Sequence, residues 1–299
     1  MLRIDAEPQL ASLTSLHLGG KALALVAFSD LRDLESLPET LARIGGRVVP
    51  IGGGTNILAP DGLLPVTLLR CEIREEPEIV GQEGDAVLVR VGAGMKLPRL
   101  VAWCSRRGLS GLEGMAGVPG NVGGAIAGNA GAHGMDMGML LRRLTVFSPQ
   151  TGVTVLDRTG FCSAYRHFSL PGMDSAWFVL AEAVLALRQS TAEAVCAAVR
   201  SHVARKLSVQ PVRAWSAGCL FRNPDPEETP LSAGKLLDEA GFRGKRVGGM
   251  CLSSMHANFL VNEGNGSAGA ALQLVHEAQE AVLRLFGISL HPEVKIWAF

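Results

Sequence analysis

The amino-acid sequence predicts an α+β fold spread over more than one domain, and three observations predict it. A β-α-β pattern occupies residues 20–70, a mostly β region runs from there to about 188, and from 191 onward helices frame short strands. At 299 residues, 47% hydrophobic and 19% charged, the chain is long enough that one core ordinarily subdivides. The expected divisions are 1–70, 71–190 and 191–299.

In order, the run ALALVAF at 22–28 reads as a buried strand. A helix over 30–44 follows, interrupted or kinked at Pro38. RVVPI at 47–51 is a strand ending in Gly52-Gly53-Gly54-Thr55-Asn56, and LPVTLLR at 64–70 is its partner. The acidic stretch 72–85 reads as a solvated strand edge and turn, 86–94 as a strand, and 97–108 as a helix with basic residues in its last turn and glycine as its stop. Strands are expected at 141–147, 152–158 and 177–187, then helices at 191–207, 233–241 and 269–286 with short strands at 257–262 and 294–299.

The charge balance, 28 basic against 28 acidic side chains, supplies no net field toward nucleic acid or an anionic membrane. Neither a signal-peptide pattern nor an apolar run near 18 residues is present, so a cytoplasmic protein without membrane insertion is expected. The six cysteines are scattered with no C-x-x-C pair, which argues against a disulfide framework and a structural zinc site; no metal ion is expected. Nothing in the sequence points to an obligate protein partner.

Ten of the 36 glycines fall within the 28 residues 111–138. Backbone N–H groups can hold a pyrophosphate only where side chains leave room, and glycine supplies both that room and positive φ. Two segments fit: Gly52, Gly53, Gly54, Thr55, Asn56 and Ile57, and Gly117, Val118, Pro119, Gly120, Asn121, Gly123, Gly124 and Ala125, continuing through Gly128-Asn129-Ala130-Gly131. Neither has the dinucleotide-fold G-x-G-x-x-G spacing, and no G-K-[ST] is present. On these grounds alone the chain is a binder of a phosphate-bearing cofactor.

An ordered set of motifs then carries a resemblance. TSLHLGGKA at 14–22, GGGTNIL at 52–58, GLEGMAGVPGNVGGAIAGNAGAHG at 111–134, Ala164-Tyr165-Arg166, SAGCLFRNP at 216–224, AGKLLDEAGFRG at 233–244, HANFLVN at 256–262 and HPEV at 291–294 resemble the UDP-N-acetylenolpyruvoylglucosamine reductase (MurB) family. That family belongs to the FAD-binding proteins of the vanillyl-alcohol-oxidase (PCMH-type) fold. The set spans nearly the whole chain. The resemblance implies FAD-binding subdomains over 1–70 and 71–190, a C-terminal substrate domain over 191–299, FAD as cofactor, NADPH as electron donor and a UDP-sugar as substrate. No long tyrosine-bearing insertion follows Tyr165-Arg166, as in the shorter type II branch.

What the family does can be set against these residues. Reduction of an enolpyruvyl group delivers hydride to carbon-3 and a proton to carbon-2, with charge developing on the carboxylate. The resemblance implies Arg166 as the fixed cation for that charge, Cys219 as proton donor and Glu293 as a polarising carboxyl group, with Tyr165 beside them. A planar guanidinium fork suits a carboxylate. Cys219 stands where serine is usual; a thiol, with an ordinary pKa near 8.5, is the stronger acid and can still donate. Arg222 and Asn223 are the first candidates for the phosphates and uridine, followed by Lys235, His256 and Asn258. Arg222 replaces the commoner lysine, Trp215 stands where proline is usual, and His133 takes the place of an aromatic. The alternative is another FAD-dependent oxidase or dehydrogenase of the same fold, or a noncatalytic FAD-binding electron-transfer subunit, neither of which needs the pair Cys219 and Glu293.

Overall fold

The computed structural model describes residues 1–173 and 175–298, and the chain forms two compact units. The first comprises Met1–Glu7, Leu23–Gly53 and Pro65–Arg205; the second comprises Pro8–Ala22, Gly54–Leu64 and Lys206–Phe299. The short segments join the second unit because their backbones and side chains are used there. Gly20 N–H donates to the Pro60 carbonyl at 2.9 Å, and Leu16, Leu18 and Leu58 enter the core built by the C-terminal helices.

The first unit opens on a four-stranded sheet in the order Arg3–Ala6, Ala24–Phe28, Val66–Cys71, Arg47–Pro50, in which only the outer Arg3–Ala6 pairing is antiparallel. Every residue of Ala24–Phe28 is buried, as an apolar run without alternation requires of a strand covered on both faces. The helix expected over 30–44 is two elements, a 3-10 turn at Leu31–Glu35 and α1 at Leu37–Ile44. Pro38 sits in the first turn of α1, where its missing N–H has no intrahelical acceptor to lose, so it starts the helix instead of kinking it.

A larger antiparallel sheet follows, with Val179–Gln189 at its centre between Leu141–Ser148 and Ala86–Gly92; Gly152–Leu156 and Glu78–Glu83 form its edges. All of Glu78–Glu83 is exposed, and its charged side chains discourage further strand pairing. α2 (Leu97–Arg106) buries Leu97, Leu100, Val101 and Trp103 into the core shared with Val89, Val91, Leu144 and Leu185. The glycine-rich segment forms α3 (Val122–Ala127), a turn with strands Gly131–Ala132 and Met135–Asp136, and α4 (Met137–Leu140).

α5 (Ala192–Val209) carries the chain toward the second unit. That unit is a four-stranded antiparallel sheet in the order Trp215–Cys219, Phe259–Asn262, Met250–Leu252, Arg246–Val247, packed with α6 (Ala233–Glu239) and α7 (Ala268–Phe286). α7 is capped by Ser267 at its start and by Gly287, at φ +71°, at its end. Near the C-terminus the strand is Lys295–Ile296, parallel to Ile57–Leu58; Phe299, the end of the expected strand, lies outside the described residues. Among the described residues no helix is long and apolar enough to cross a membrane.

Candidate functional site

Within the first unit the two glycine-rich segments meet. A Cβ on Gly53 would lie 2.9 Å from the Gly120 Cα, and one on Gly52 would lie 3.8 Å from Gly124. Gly117 and Gly120 hold φ of +74° and +103°, values open to glycine at no steric cost. The segment is tied down by Val122 N–H to the Met95 carbonyl and Gly123 N–H to the Ala93 carbonyl, both 2.9 Å. These approaches leave a groove lined by Pro50, Ile51, Gly52, Leu69, Cys71, Ala93, Asn121, Gly123, Gly124, Ala127 and Phe178 to Leu180. Burial pushes the Cys71 thiol in its wall up to about 12, so it stays protonated there.

Asn121 is 5% exposed, and among the described residues its Oδ1 accepts no hydrogen bond. A buried acceptor left without a donor costs about 1–3 kcal/mol. A bound molecule with an N–H or O–H would complete it.

Two neighbouring glycines separate folding from binding. A Cβ on Gly123 would come within 2.9 Å of the Ala93 Cβ, whereas one on Gly124 meets nothing within 4 Å. Gly124→Leu should therefore leave the thermal midpoint unchanged or raise it, since leucine is the better helix former. FAD affinity should fall about tenfold or more, because forcing a side chain into occupied space costs ~1–3 kcal/mol. Flavin titration followed by fluorescence reads the difference, and Gly124→Leu protein that binds FAD normally would remove the groove as its site.

Arg166 lies in the same unit at the tip of the hairpin formed by Cys162–Ala164 and His167–Ser169. The two-residue loop Tyr165-Arg166 gives Arg166 a φ of +52°, a left-handed value that side chains with a Cβ adopt at a cost of ~1–2 kcal/mol. Its Nη1 donates to the Gly131 carbonyl at 3.1 Å, and its guanidinium carbon lies 5.5 Å from the Tyr165 ring centre. Tyr165 is 61% exposed, so its ring is available to a ligand and is not part of the core. His133, at φ +56°, puts its ring 4.3 Å from that of His202.

The second unit holds Cys219 and Glu293. Strand Trp215–Cys219 carries an irregularity between Ser216 and Cys219, with Gly218 at φ +86°, and rejoins its neighbour at the Cys219–Phe259 pair. Immediately beyond, Glu293 N–H donates to the Leu220 carbonyl at 2.8 Å and Arg222 N–H to the His291 carbonyl at 2.9 Å. The near-terminal HPEV segment is thus hydrogen-bonded to the residues that follow Cys219. Asn56 Nδ2 donates to the Glu293 carbonyl at 3.2 Å, and Lys295 N–H to the Asn56 carbonyl at 3.1 Å. Both Cys219 and Glu293 are partly exposed. His17 stacks on Trp215 with ring centres 4.1 Å apart, a contact made possible by tryptophan at a position where proline has no ring face to offer.

The candidates for the UDP-sugar separate by what they touch. Arg222 is exposed. Asn223 Oδ1 accepts from Ala233 N–H at 3.1 Å, at the start of α6, and Lys235 pairs with Glu239 on the same helix at 3.3 Å. Asn258, 3% exposed, uses its amide on the Phe221 backbone: Oδ1 accepts from the N–H at 2.9 Å and Nδ2 donates to the carbonyl at 2.8 Å. Asn258 therefore acts on the backbone just after Cys219. No local sequence pattern signals that clamp.

His256 Nδ1 accepts from Asn258 N–H at 3.2 Å. Burial, and then the Arg243 cation, hold its pKa below the usual 6.5. Between the folded and unfolded values the unfolded chain binds more protons, so stability rises with pH through that window and is lost as pH falls below about 6.5. The thermal midpoint should drop between about pH 7.5 and about pH 5.5, and His256→Gln should flatten that part of the profile; an unchanged slope would remove the assignment.

A family model described as "FAD binding domain" matches residues 22–157, and one described as "UDP-N-acetylenolpyruvoylglucosamine reductase, C-terminal domain" matches residues 210–297. Proteins named UDP-N-acetylenolpyruvoylglucosamine reductase are similar over nearly the whole chain. The one from Nitratidesulfovibrio vulgaris is 48% identical and covers 99% of each chain; that from Oleidesulfovibrio alaskensis is 48% identical over 97% of this chain and 96% of its own. The crystal structure of the MurB reductase from Thermus caldophilus superposes with a TM-score of 0.83 at 31% identity, covering 100% of both chains. With that similarity end to end, and with the glycine groove and the Cys219 and Glu293 segments in place, this chain belongs to the UDP-N-acetylenolpyruvoylglucosamine reductase (MurB) family of FAD-binding oxidoreductases.

Proposed function

We propose that the protein uses NADPH to reduce the enolpyruvyl group of UDP-N-acetylglucosamine enolpyruvate to the lactyl ether of UDP-N-acetylmuramate, in the cytoplasm, as a step of peptidoglycan synthesis. The observation that carries this reading is the hydrogen bond from Glu293 N–H to the Leu220 carbonyl. It ties a near-terminal carboxyl group to the residue after Cys219, and a proton donor with a charge-handling neighbour is what the second half of this reaction needs.

The groove fits FAD. Gly53 packs directly on Gly120 and so brings the two segments together, Gly124 leaves open space in the groove for a pyrophosphate, and Asn121 Oδ1 awaits a donor. Bound there, FAD supplies the hydride carrier between NADPH and carbon-3 of the enolpyruvyl group. The chain's own residues do the rest. Arg166 meets the substrate carboxylate, where a fixed cation stabilises the developing charge. Cys219 gives its Sγ proton to carbon-2 and regains one from solvent before the next turnover. Glu293 polarises the reacting group, while Arg222 and Asn223 hold the phosphates and uridine.

An absorbance experiment tests the whole reading. The holoprotein should be yellow, bleach on addition of NADPH without oxygen, and regain its colour on addition of the UDP-enolpyruvyl sugar. Protein that bleaches but recovers only with oxygen is an oxidase of the same fold, and protein that cannot be reconstituted with FAD overturns the proposal.

A further inference from the structure

The glycine-rich segment divides between two tasks. Asn121, Gly123 and Gly124 line the groove, but Asn129, Gly131 and Gly138 grip the hairpin that carries Arg166. Asn129 is the centre of that grip. It is 2% exposed and holds φ at +40°. Its Nδ2 donates to the Ala164 carbonyl at 2.7 Å, and its Oδ1 accepts from Gly138 N–H at 2.9 Å. Ala164 is the last residue before the Tyr165-Arg166 loop.

Two further contacts surround this one. A Cβ on Gly138 would come within 2.5 Å of the Ser163 Cβ, so α4 and the hairpin approach as closely as glycine allows. Arg166 Nη1 itself donates to the Gly131 carbonyl at 3.1 Å. The hairpin needs such anchoring, since it pairs only at Cys162–Ser169, Ser163–Phe168 and Ala164–His167, and an isolated two-stranded ribbon is marginal in water.

We propose that Asn129 is a positioning residue for Arg166: by fixing the Ala164 carbonyl to the start of α4, it sets where the hairpin tip presents the guanidinium. This rests on the reading that Arg166 meets the substrate carboxylate. A displacement of about 1 Å at a charge-stabilising group can reduce a rate by about 10²-fold, so the effect should be confined to the half-reaction that uses Arg166.

Asn129→Gly accepts the positive φ and deletes both side-chain bonds. In the holoenzyme, FAD content and bleaching by NADPH should stay within about twofold, while recolouring by the UDP-enolpyruvyl sugar slows by about tenfold or more. Amide exchange at Gly138 should quicken, because its acceptor is gone. Combined with Arg166→Met, Asn129→Gly should slow recolouring no further than Arg166→Met alone, as expected of two residues acting through one contact. If Arg166→Met leaves recolouring untouched, the assignment of Arg166 is wrong. If Arg166→Met slows recolouring but Asn129→Gly does not, or if their effects multiply, the positioning role is overturned.

A second pair guards against loss of the fold in Asn129→Gly. Gly138→Ala should push the hairpin from the other side with the same selective slowing, and adding Ser163→Gly should restore the rate by clearing the space. Slowing that is absent, or that Ser163→Gly does not relieve, counts against the proposal.

Discussion

Replacing Cys219 with alanine should slow the recolouring of reduced enzyme by the UDP-enolpyruvyl sugar by about 10²- to 10⁴-fold, the usual weight of a positioned general acid. Bleaching by NADPH should be unaffected within experimental error, because no proton to carbon-2 is involved in that half. The contrast is informative because Cys219 is only partly buried, and substitutions at such sites ordinarily change stability by about 1 kcal/mol or less. Cys219→Ser should recover most of the lost rate, since an alcohol at the same Cβ keeps a donor at the end of the irregular strand that Gly218 bends. Stopped-flow absorbance of each half-reaction separates the outcomes. Equal loss in both halves would mean that the substitution damages the groove or the fold, and Cys219 would not be the donor.

The parts of this molecule that follow local rules were legible in the sequence. The continuous apolar run at 22–28 reads as a buried strand and became Ala24–Phe28, and the periodic run read as a helix over 269–286 is α7, Ala268–Phe286. Glycine density announced a close backbone approach. It did not say that the approach serves two purposes, the packing of Gly53 on Gly120 beside the groove and the hairpin contact at Gly138. That division depends on Asn129 reaching the Ala164 carbonyl, 35 positions away in sequence. The same applies to Asn258 on Phe221, at a separation of 37, and to Asn56 on Glu293, at 237. An asparagine that caps a distant backbone carries no periodicity, and positive φ at Asn129 and Arg166 leaves no compositional trace such as glycine would. Pro38 was legible as a proline but not as a start, because its meaning depends on whether a preceding 3-10 turn has already ended.

The strain at Arg166 provides a second, independent test of its role. Glycine at this position should accept the φ of +52° without the Cβ clash that arginine bears. Arg166→Gly gives back ~1–2 kcal/mol of backbone strain, while it loses contacts that include the Gly131 hydrogen bond, worth ~1 kcal/mol, and adds ~0.5–1 kcal/mol of chain freedom in the unfolded state, so the thermal midpoint should fall by no more than a few degrees. Recolouring by the substrate should nevertheless fall by about 10²- to 10³-fold, as removal of one preorganised charge-stabilising group does elsewhere. Arg166→Lys should lie between, because it keeps the charge but loses the planar fork that matches a carboxylate. A residue kept for the fold would show the opposite order, with glycine harmful to stability and lysine harmless to rate. A strained arginine whose removal leaves the fold intact but stops the substrate half-reaction is held there for chemistry, and an Arg166→Gly enzyme that still recolours at the native rate would require another cation for the carboxylate.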